Sequence, residues 1–537
     1  MNFCQVHILL KKGLILIKTN SLVSSRVLQL RRTERRREPE QPHADRSGTA
    51  WVRSDQRGTS RRKAVKGYMD KPDTQVCVIG NGPAGLSLSA FLSGLIPFYN
   101  PESRHPNPVI DGRLSPEPAE SLIDQDLSWA DDINEYGGAN RPIAALYDSL
   151  VRPGADLGEA GPSCLQWEID SSREIPHVVL GDTEIGGSWN SYDPEMLAVS
   201  FAQWLDLPGY GVADYLGREA EMARIPAALY VAYMRWYADT LGIRRNFETH
   251  ARVTSITKHG SLWLVEGRHS DGRRLSLTAR YVILASGKTI PKMLGLPEEE
   301  NCRNIVYDVP SMKKRLAMDT MKGKEYTQGS TTSRVVVVGD GISSADVIRH
   351  CLQREIPVLH VIRRNERQLR NILLSRLSAV HYTDYHEIYR LMIGRETNPL
   401  YERITNATVT KVDQHRLRIN YPKGEKEESY GLLAVCIGRT TDTSTLLHGK
   451  FTFDGDYCSV QDETLLSAGA LSGDHFVRYL VGGCLDVVQR LKKQIRRNDP
   501  AKLSRNLQMA LNNNNDAILN TISDKKCCVC PGIPRYL

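Results

Sequence analysis

The sequence predicts an α/β protein built on two parallel β-sheets. Two stretches carry that prediction. Gln75 to Leu88 reads QVCVIGNGPAGLSL, and Val335 to Val347 reads VVVVGDGISSADV. Each is a run of apolar, largely β-branched residues, then a tight glycine turn, then a helix-forming stretch. That order opens a nucleotide-binding βαβ unit. The two copies lie far apart in the chain, so each belongs to its own sheet. The expected architecture is therefore two dinucleotide-binding, Rossmann-like domains.

Length and composition agree. The chain has 537 residues, room for two or three domains. With 41 % hydrophobic and 25 % charged residues, its composition is that of a globular protein and not of a disordered or fibrous one. The net charge of +8 is unevenly placed: residues 1–67 hold 16 Lys and Arg against 5 Asp and Glu, and the rest is nearly neutral. No nucleic acid is expected as a partner of the body. No apolar run reaches the roughly 18 residues that a transmembrane span needs. The 11 cysteines have no framework spacing, which points to a reducing compartment. No metal-ligand cluster stands out.

Residues 1–70 read as a basic leader, disordered or targeting. The first acid is Glu34, and VHILLKKGLILIK is apolar and basic. A mitochondrial transit peptide, a loose extension, or a start at Met69 all fit. The expected location is cytoplasmic, with mitochondrial import through the leader as the alternative. Residues 71–332 form the first domain, interrupted at about 97–175 by a Pro-, Gly- and acid-rich insertion with one helical piece, RPIAALYDSLV. Strand character returns at HVVLG, and AALYVAYMRWYADTLG has helical spacing. The second domain spans 333–440. Residues 441–498 end in the helix FVRYLVGGCLDVVQRLKKQI, and 499–537 read as a flexible tail.

In the first loop, Gly80 makes the turn, Gly82 lets a pyrophosphate approach the backbone, and Gly85 lets the helix pack on the strand. The helix N-terminus then faces the phosphates. The acid that would bind a ribose is expected after the next strand, but Gly181 stands there; Asp182 or Glu184 is the substitute. The second loop repeats the pattern with Gly339, Gly341 and Ser344. Arg363 and Arg364 follow its second strand where a ribose-binding acid would sit. Two guanidiniums there suit a 2′-phosphate, which favours NADPH.

Further elements carry a family resemblance. Gly186-Gly187-Ser188-Trp189, then YVILASGKTIPKMLGLP with Ser286 and Gly287, then LLAVCIGR, then LSGDHFVRYLVGGCLDVV with Gly473 and Asp474, follow in order. This series resembles flavin-dependent monooxygenases with two dinucleotide-binding domains. The resemblance implies FAD on the first loop, GGSW along the flavin, and Asp474 on its ribityl chain or phosphates. It also implies an FAD domain completed by 441–498, with the NADPH domain inserted. The family's usual phenylalanine-glycine-histidine linker is missing; NCRNIVYDVPSMKKR stands in its place. Disulfide reductases of this architecture need a redox cysteine pair near the flavin, and the expectation is that the chain carries no CxxC or CxxxxC, which argues against that class.

A closer resemblance rests on IGNGPAGLSLSAFLSG, PHVVLGDTEIGGSW, SFAQWLDLP, YTDYHEIYRLM and GDHFVRYLVGG, spread over residues 74 to about 490. These strings are similar to the oxidative stress-induced growth inhibitor family. That resemblance implies a link to growth, cell death and oxidative stress, with regulatory protein partners. Its flavoprotein motifs imply an NADPH-dependent monooxygenase using molecular oxygen and a small-molecule substrate that the sequence does not name. Gln203, in SFAQW, is the candidate catalytic residue; Tyr385 and His386 are family-typical and fit packing equally. Two alternatives stay open: a flavin-binding regulator without turnover, and an NADPH oxidase that releases peroxide.

Overall fold

The computed structural model describes residues 7–11, 14–18, 71–133, 141–157, 161–323, 326, 334–441, 443–449, 451–455 and 457–498. The tail 499–537 and most of the leader lie outside them. Residues 1–66 and 67–537 are separate compact units. In the first unit, His7–Lys11 pairs antiparallel with Leu14–Lys18. That strand pair was not part of the expectation of a disordered or targeting leader. Two short Ile- and Leu-rich runs separated by Lys12-Gly13 are a hairpin pattern, which the charge of the segment had masked.

The second unit begins with β1 (Thr74–Ile79) and α1 (Pro83–Leu92), which flank the first glycine loop. The insertion is opened by β2 (Leu95–Tyr99), contains α2 (Pro142–Val151), and is closed by β3 (Leu165–Ile169), which pairs antiparallel with β2. Then come β4 (His177–Leu180), α3 (Ala227–Thr240), β5 (Phe247–Glu248), and three longer strands, β6 (Ala251–His259), β7 (Leu262–His269) and β8 (Arg274–Leu284). The second sheet is built from β9 (Ile305–Val306), β10 (Val335–Val338), β11 (Val358–Ile362), β12 (Tyr401–Thr405) and β13 (Leu432–Val435). Its helices are α4 (Val309–Met321), α5 (Ile342–Leu352) and α6 (Thr383–Met392). The chain then returns to the first sheet through β14 (Leu465–Ser467) and α7 (Val477–Arg497).

The first sheet runs β5-β4-β1-β8-β7-β6, with β14 also on β8. Strand β8 is long enough to serve two neighbours along one edge: its first half pairs antiparallel with β7, its second half parallel with β14. The second sheet is wholly parallel in the order β9-β13-β10-β11-β12. Its central strands are buried on both faces, which is why β10 reads as four consecutive valines. The chain passes between the sheets twice, and the two crossings pair with each other, Ile290–Pro291 against Arg439–Thr440. In a parallel sheet all strand C-termini lie along one edge. The turns after β1, β4, β8 and β14 therefore line one edge of the first sheet, and those after β9, β10 and β13 one edge of the second.

The insertion packs on α7. Gln489 of α7 donates to the Leu122 carbonyl, Lys492 pairs with Asp124 at 2.7 Å, and Arg478 pairs with Asp148 at 2.6 Å. At the crossing of α2 and α7 a side chain on Gly482 would meet the Ala144 Cα at 2.7 Å. A backbone neighbour cannot move aside there. Replacing Gly482 with Val is expected to destabilise the fold by about 3 kcal/mol or more, at the upper end for an overpacked site. The urea midpoint measures it, and an unchanged midpoint would mean that α2 does not dock on α7.

Candidate functional site

The two glycine loops are built alike. Gly80 has φ +123°, and a Cβ there would stand 2.3 Å from the Ala285 carbonyl oxygen at the end of β8. Gly339 has φ +122°, and its Cβ would stand 2.2 Å from the Cys436 oxygen after β13. A Cβ on Gly85 would lie 2.0 Å from the Gly80 oxygen, so α1 rests directly on the turn. Ser344 takes that third position in the second loop, fully buried, with its Oγ donating to the Gly341 carbonyl at 2.6 Å. The middle glycines differ from these. Gly82 has no neighbour nearer than 3.8 Å, and Gly341 has none within 4 Å. Their free sides are the places where a pyrophosphate could approach each helix N-terminus.

Gly181 also has a steric cause. A Cβ there would lie 2.0 Å from Cγ of Asn81, which is 2 % exposed. Asn81 donates from Nδ2 to the Thr183 carbonyl at 2.7 Å, and its own carbonyl accepts from Gly186 N–H at 3.0 Å. It ties the turn after β4 to the first glycine loop and fills the space an acid would need. Of the two expected substitutes, Asp182 is exposed, and half-buried Glu184 lies 3.3 Å from His250 Nε2. The Gly186-Gly187 element lies against the loop, since a Cβ on Gly187 would meet the Gly82 Cα at 2.9 Å. Trp189 then packs edge-on to Tyr230, ring centres 4.6 Å apart. Ser286 and Gly287 follow β8, and Gly287 faces open space.

Asp474 is buried beside exposed Gly473. Its carboxylate accepts from Tyr457 OH at 2.9 Å and pairs with Arg141 at 3.2 Å. Burial pushes this carboxyl above its usual range, against the pull of Tyr457 and Arg141. Arg141 also donates to the Ser472 and Gly455 carbonyls and lies over the Tyr457 ring at 4.0 Å. The insertion thus reaches into this site, which sequence reasoning missed. Nothing local marks Arg141, whose partner is 333 positions away.

A cavity of about 300 Å³ lies where the two strand edges meet. Trp189, Ser191 to Asp193 and Met196 to Ser200 border it from the side of the first sheet, as do His475 and Phe476. From the second come Tyr307 and Asp308 after β9, Ile342 and Ser343 at the second loop, and Cys436 and Arg439 after β13. Leu205 borders it but Gln203 does not: the short helical turn Ala202–Leu205 aims that amide at Met222 Sδ, 3.0 Å away. Arg363 and Arg364 are exposed at the end of β11, with Arg364 paired to Asp340 of the second loop. Tyr385 is buried and donates to Asp346 at 3.1 Å, while His386 is half-buried. Cys436 is a lone thiol at the cavity, pushed by burial up to about 12. Among the described residues, Cys77, Cys164, Cys302, Cys351, Cys436 and Cys484 are free thiols. One CxxC spacing does exist in the chain, Cys527 to Cys530, in the tail outside the described residues.

The two glycine loops sit on one mixed sheet with parallel central strands and one wholly parallel sheet, and the chain matches the pyridine nucleotide-disulphide oxidoreductase family over residues 160–468. More narrowly, it belongs to the oxidative stress-induced growth inhibitor family. It is 48 % identical over 431 residues to the oxidative stress induced growth inhibitor homolog osgn-1 of Caenorhabditis elegans, covering 78 % of this chain and 94 % of that protein. It is 30 % identical to oxidative stress-induced growth inhibitor 1 of Mus musculus, covering 82 % of this chain and all of the relative. Among solved structures, bacillithiol disulfide reductase from Bacillus cereus aligns with a TM-score of 0.49 at 15 % identity, over 78 % of this chain and 99 % of that one. No helix among the described residues is long and apolar enough to cross a membrane.

Removing Arg141 would leave Asp474 buried without its cation. Arg141→Met is expected to cost about 3 kcal/mol at neutral pH. The sign of its pH dependence follows from the raised carboxyl. A protonated Asp474 tolerates burial, so the penalty is absent below the unfolded carboxyl value of about 4 and grows as pH rises through the folded value. Urea unfolding at about pH 5 and pH 7.5 should give the larger loss at the higher pH; the reverse order would mean that Arg141 does not neutralise Asp474.

Proposed function

We propose that the chain is an FAD-containing, NADPH-dependent oxidoreductase of the monooxygenase type. The observation that carries this reading is convergence. The GGSW tryptophan, the second glycine loop, and the segment after Gly473-Asp474 border one cavity. The residues fit the two groups. FAD would lie with its pyrophosphate over Gly82 at the α1 N-terminus, beside Gly186, Gly187, Ser286, Gly287 and Asp474. NADPH would lie over Gly341, with Arg363 and Arg364 on its 2′-phosphate and Asp340 holding Arg364 in place. On this reading residues 71–332 and 441–498 form the FAD domain, and 333–440 the NADPH domain.

A bound flavin would supply two-electron transfer between nicotinamide and molecular oxygen. The chain itself would hold the two groups face to face and keep water out with apolar walls such as Met196, Leu197, Val309 and Phe476. The substrate would be a small molecule matched to a cavity of about 300 Å³. Gln203 receives no role here, because its amide does not border the cavity. The relatives' names support a part in growth control and oxidative stress; a role in cell death, regulatory protein partners and a cytoplasmic location are proposed alongside it.

The test is purified protein. A flavin spectrum, NADPH consumption and peroxide release are followed together. NADPH consumption that exceeds peroxide release when a substrate is oxygenated supports the proposal. Peroxide equal to NADPH, with every candidate substrate, makes the chain an oxidase. Bound flavin that NADPH never reduces makes it a regulator without turnover. The open glycines give a second check. Gly82→Ala should weaken FAD binding tenfold or more, and Gly341→Ala should do the same for NADPH. Stability should stay within about 0.5 kcal/mol of the parent, because neither Cβ would come closer than 3.8 Å to other protein atoms. Retained binding at both would remove the two loops from the proposal.

A further inference from the structure

The cavity between the glycine loops adjoins a second one of about 280 Å³, and Asp193, Met196, Val309 and Asp346 border both. The two differ in chemistry. The first is walled mainly by apolar side chains. The second is lined by Lys313, Arg349, His350, Gln353 and Arg354. Either turnover considered above takes up one proton. Reduced nicotinamide, a proton, dioxygen and substrate give oxidised nicotinamide, oxygenated substrate and water. Without substrate, the first three give oxidised nicotinamide and hydrogen peroxide. A cavity that excludes water needs a side chain to bring that proton in.

Four titratable groups at the cavity are candidates besides its neutral thiol and phenols. Asp193 pairs with Lys313 and accepts the Glu195 N–H at 3.1 Å. Asp308 caps α4 by accepting the Ser311 N–H at 2.7 Å, and faces Arg439 at 3.7 Å. Both are tied down by a cation and a backbone donor. His475 borders the first cavity only. Asp346, on α5 just past the second loop, borders both and is 6 % exposed. Among the described residues its one hydrogen-bond donor is Tyr385 OH at 3.1 Å, and the nearest cation, Arg349 Nη2, stands 4.0 Å away. Burial pushes the carboxyl up to about 6. Arg349 of α5, Tyr385 of α6 and Arg224 from the segment before α3 oppose that rise, and Asp384 of α6 adds to it. Cys436 faces it across the cavity as a neutral thiol.

We propose that Asp346 is the proton carrier of this cavity, giving up its carboxyl proton to the reaction and regaining a hydrated proton from bulk solvent by way of the charged cavity behind it, with Tyr385 as its positioning residue. The inference rests on the reading of the reaction given above. As the acid, Asp346 gives one proton for each NADPH consumed; as the carboxylate, it takes one back, so the cycle closes without any other reactant.

Infrared difference spectra between about pH 5 and pH 8 read the carboxyl directly, with or without turnover. A carboxylic acid band with a midpoint near 6 is expected, and it should vanish in Asp346→Asn. Tyr385→Phe removes a donor to the carboxylate and should raise the midpoint. The pH profile of NADPH consumption should bend at the same midpoint and move with it in Tyr385→Phe. Asp346→Asn should slow consumption on the order of 100-fold and flatten the profile, while Asp346→Glu restores the bend. A wild-type enzyme that consumes NADPH without a band lost in Asp346→Asn, or with a profile indifferent to both variants, overturns the assignment to Asp346 alone. A wild type that shows the band but consumes no NADPH overturns the reading of the reaction, and the proton role with it.

Discussion

At Gly80 the Ala285 carbonyl stands where a side chain would begin, and at Gly85 the Gly80 carbonyl does the same. This contact of backbone on backbone sets the rest of the first sheet. It allows β1 and β8 to pair up to their last residues, Ile79 against Leu284, and seats α1 directly over the turn. The free N–H groups at the start of α1 are then aimed past the sheet edge and away from neighbouring protein. The same contact between Gly339 and Cys436 does this for β10 and β13. Two edges built this way, joined by the paired crossings at Ile290–Pro291 and Arg439–Thr440, leave a cavity between them with donors on both sides.

That origin explains which parts of the protein were legible in its sequence. A position where a Cβ would overlap a carbonyl has to be glycine, so backbone constraint writes itself into the chain as a spaced motif. Burial on both faces likewise writes four valines at β10. The pairing of His7–Lys11 with Leu14–Lys18 was legible in two short Ile- and Leu-rich runs, but the basic charge of the segment pointed to a disordered or targeting leader instead.

The polar side chains of the site were much harder to read. Asn81 occupies the unmarked position of its motif, yet it decides that residue 181 must be small. Arg141 meets Asp474 only because α2 packs on α7, and no periodicity in the insertion announces that. Asp346 has no sequence signal beyond its place on α5. It gains meaning from two cavities whose other walls come from residues near 193 and 309. Gln203 illustrates the opposite error. It is next to cavity-lining residues in sequence, but a single short helical turn points it elsewhere. Closeness along the chain fixes a side chain's neighbourhood and leaves its direction to the local dihedrals.

Two family-typical strings, SFAQW and YTDYHE, turn out to meet. Tyr382 donates to the Val199 carbonyl at 2.6 Å, and Phe201 packs against the rings of Trp204, His381 and Tyr382. Arg224 donates to the Ala198 carbonyl at 3.0 Å, pairs with Asp384 at 2.8 Å, and lies over the rings of Tyr382 and Tyr385. Asp384 is held in turn by Arg349 of α5 at 2.8 Å. Ala198 and Val199 are cavity wall, so a segment that leaves the first sheet is anchored on the helices of the second. Rotating one sheet against the other would break these contacts together, and Arg224 and Tyr382 are largely shielded from water that could replace them. An enzyme that must swing one nucleotide away to admit a partner disulfide would be hindered by such a clamp. One that keeps both nucleotides facing a single cavity gains from it, because the clamp holds the turns of the two strand edges at a fixed separation.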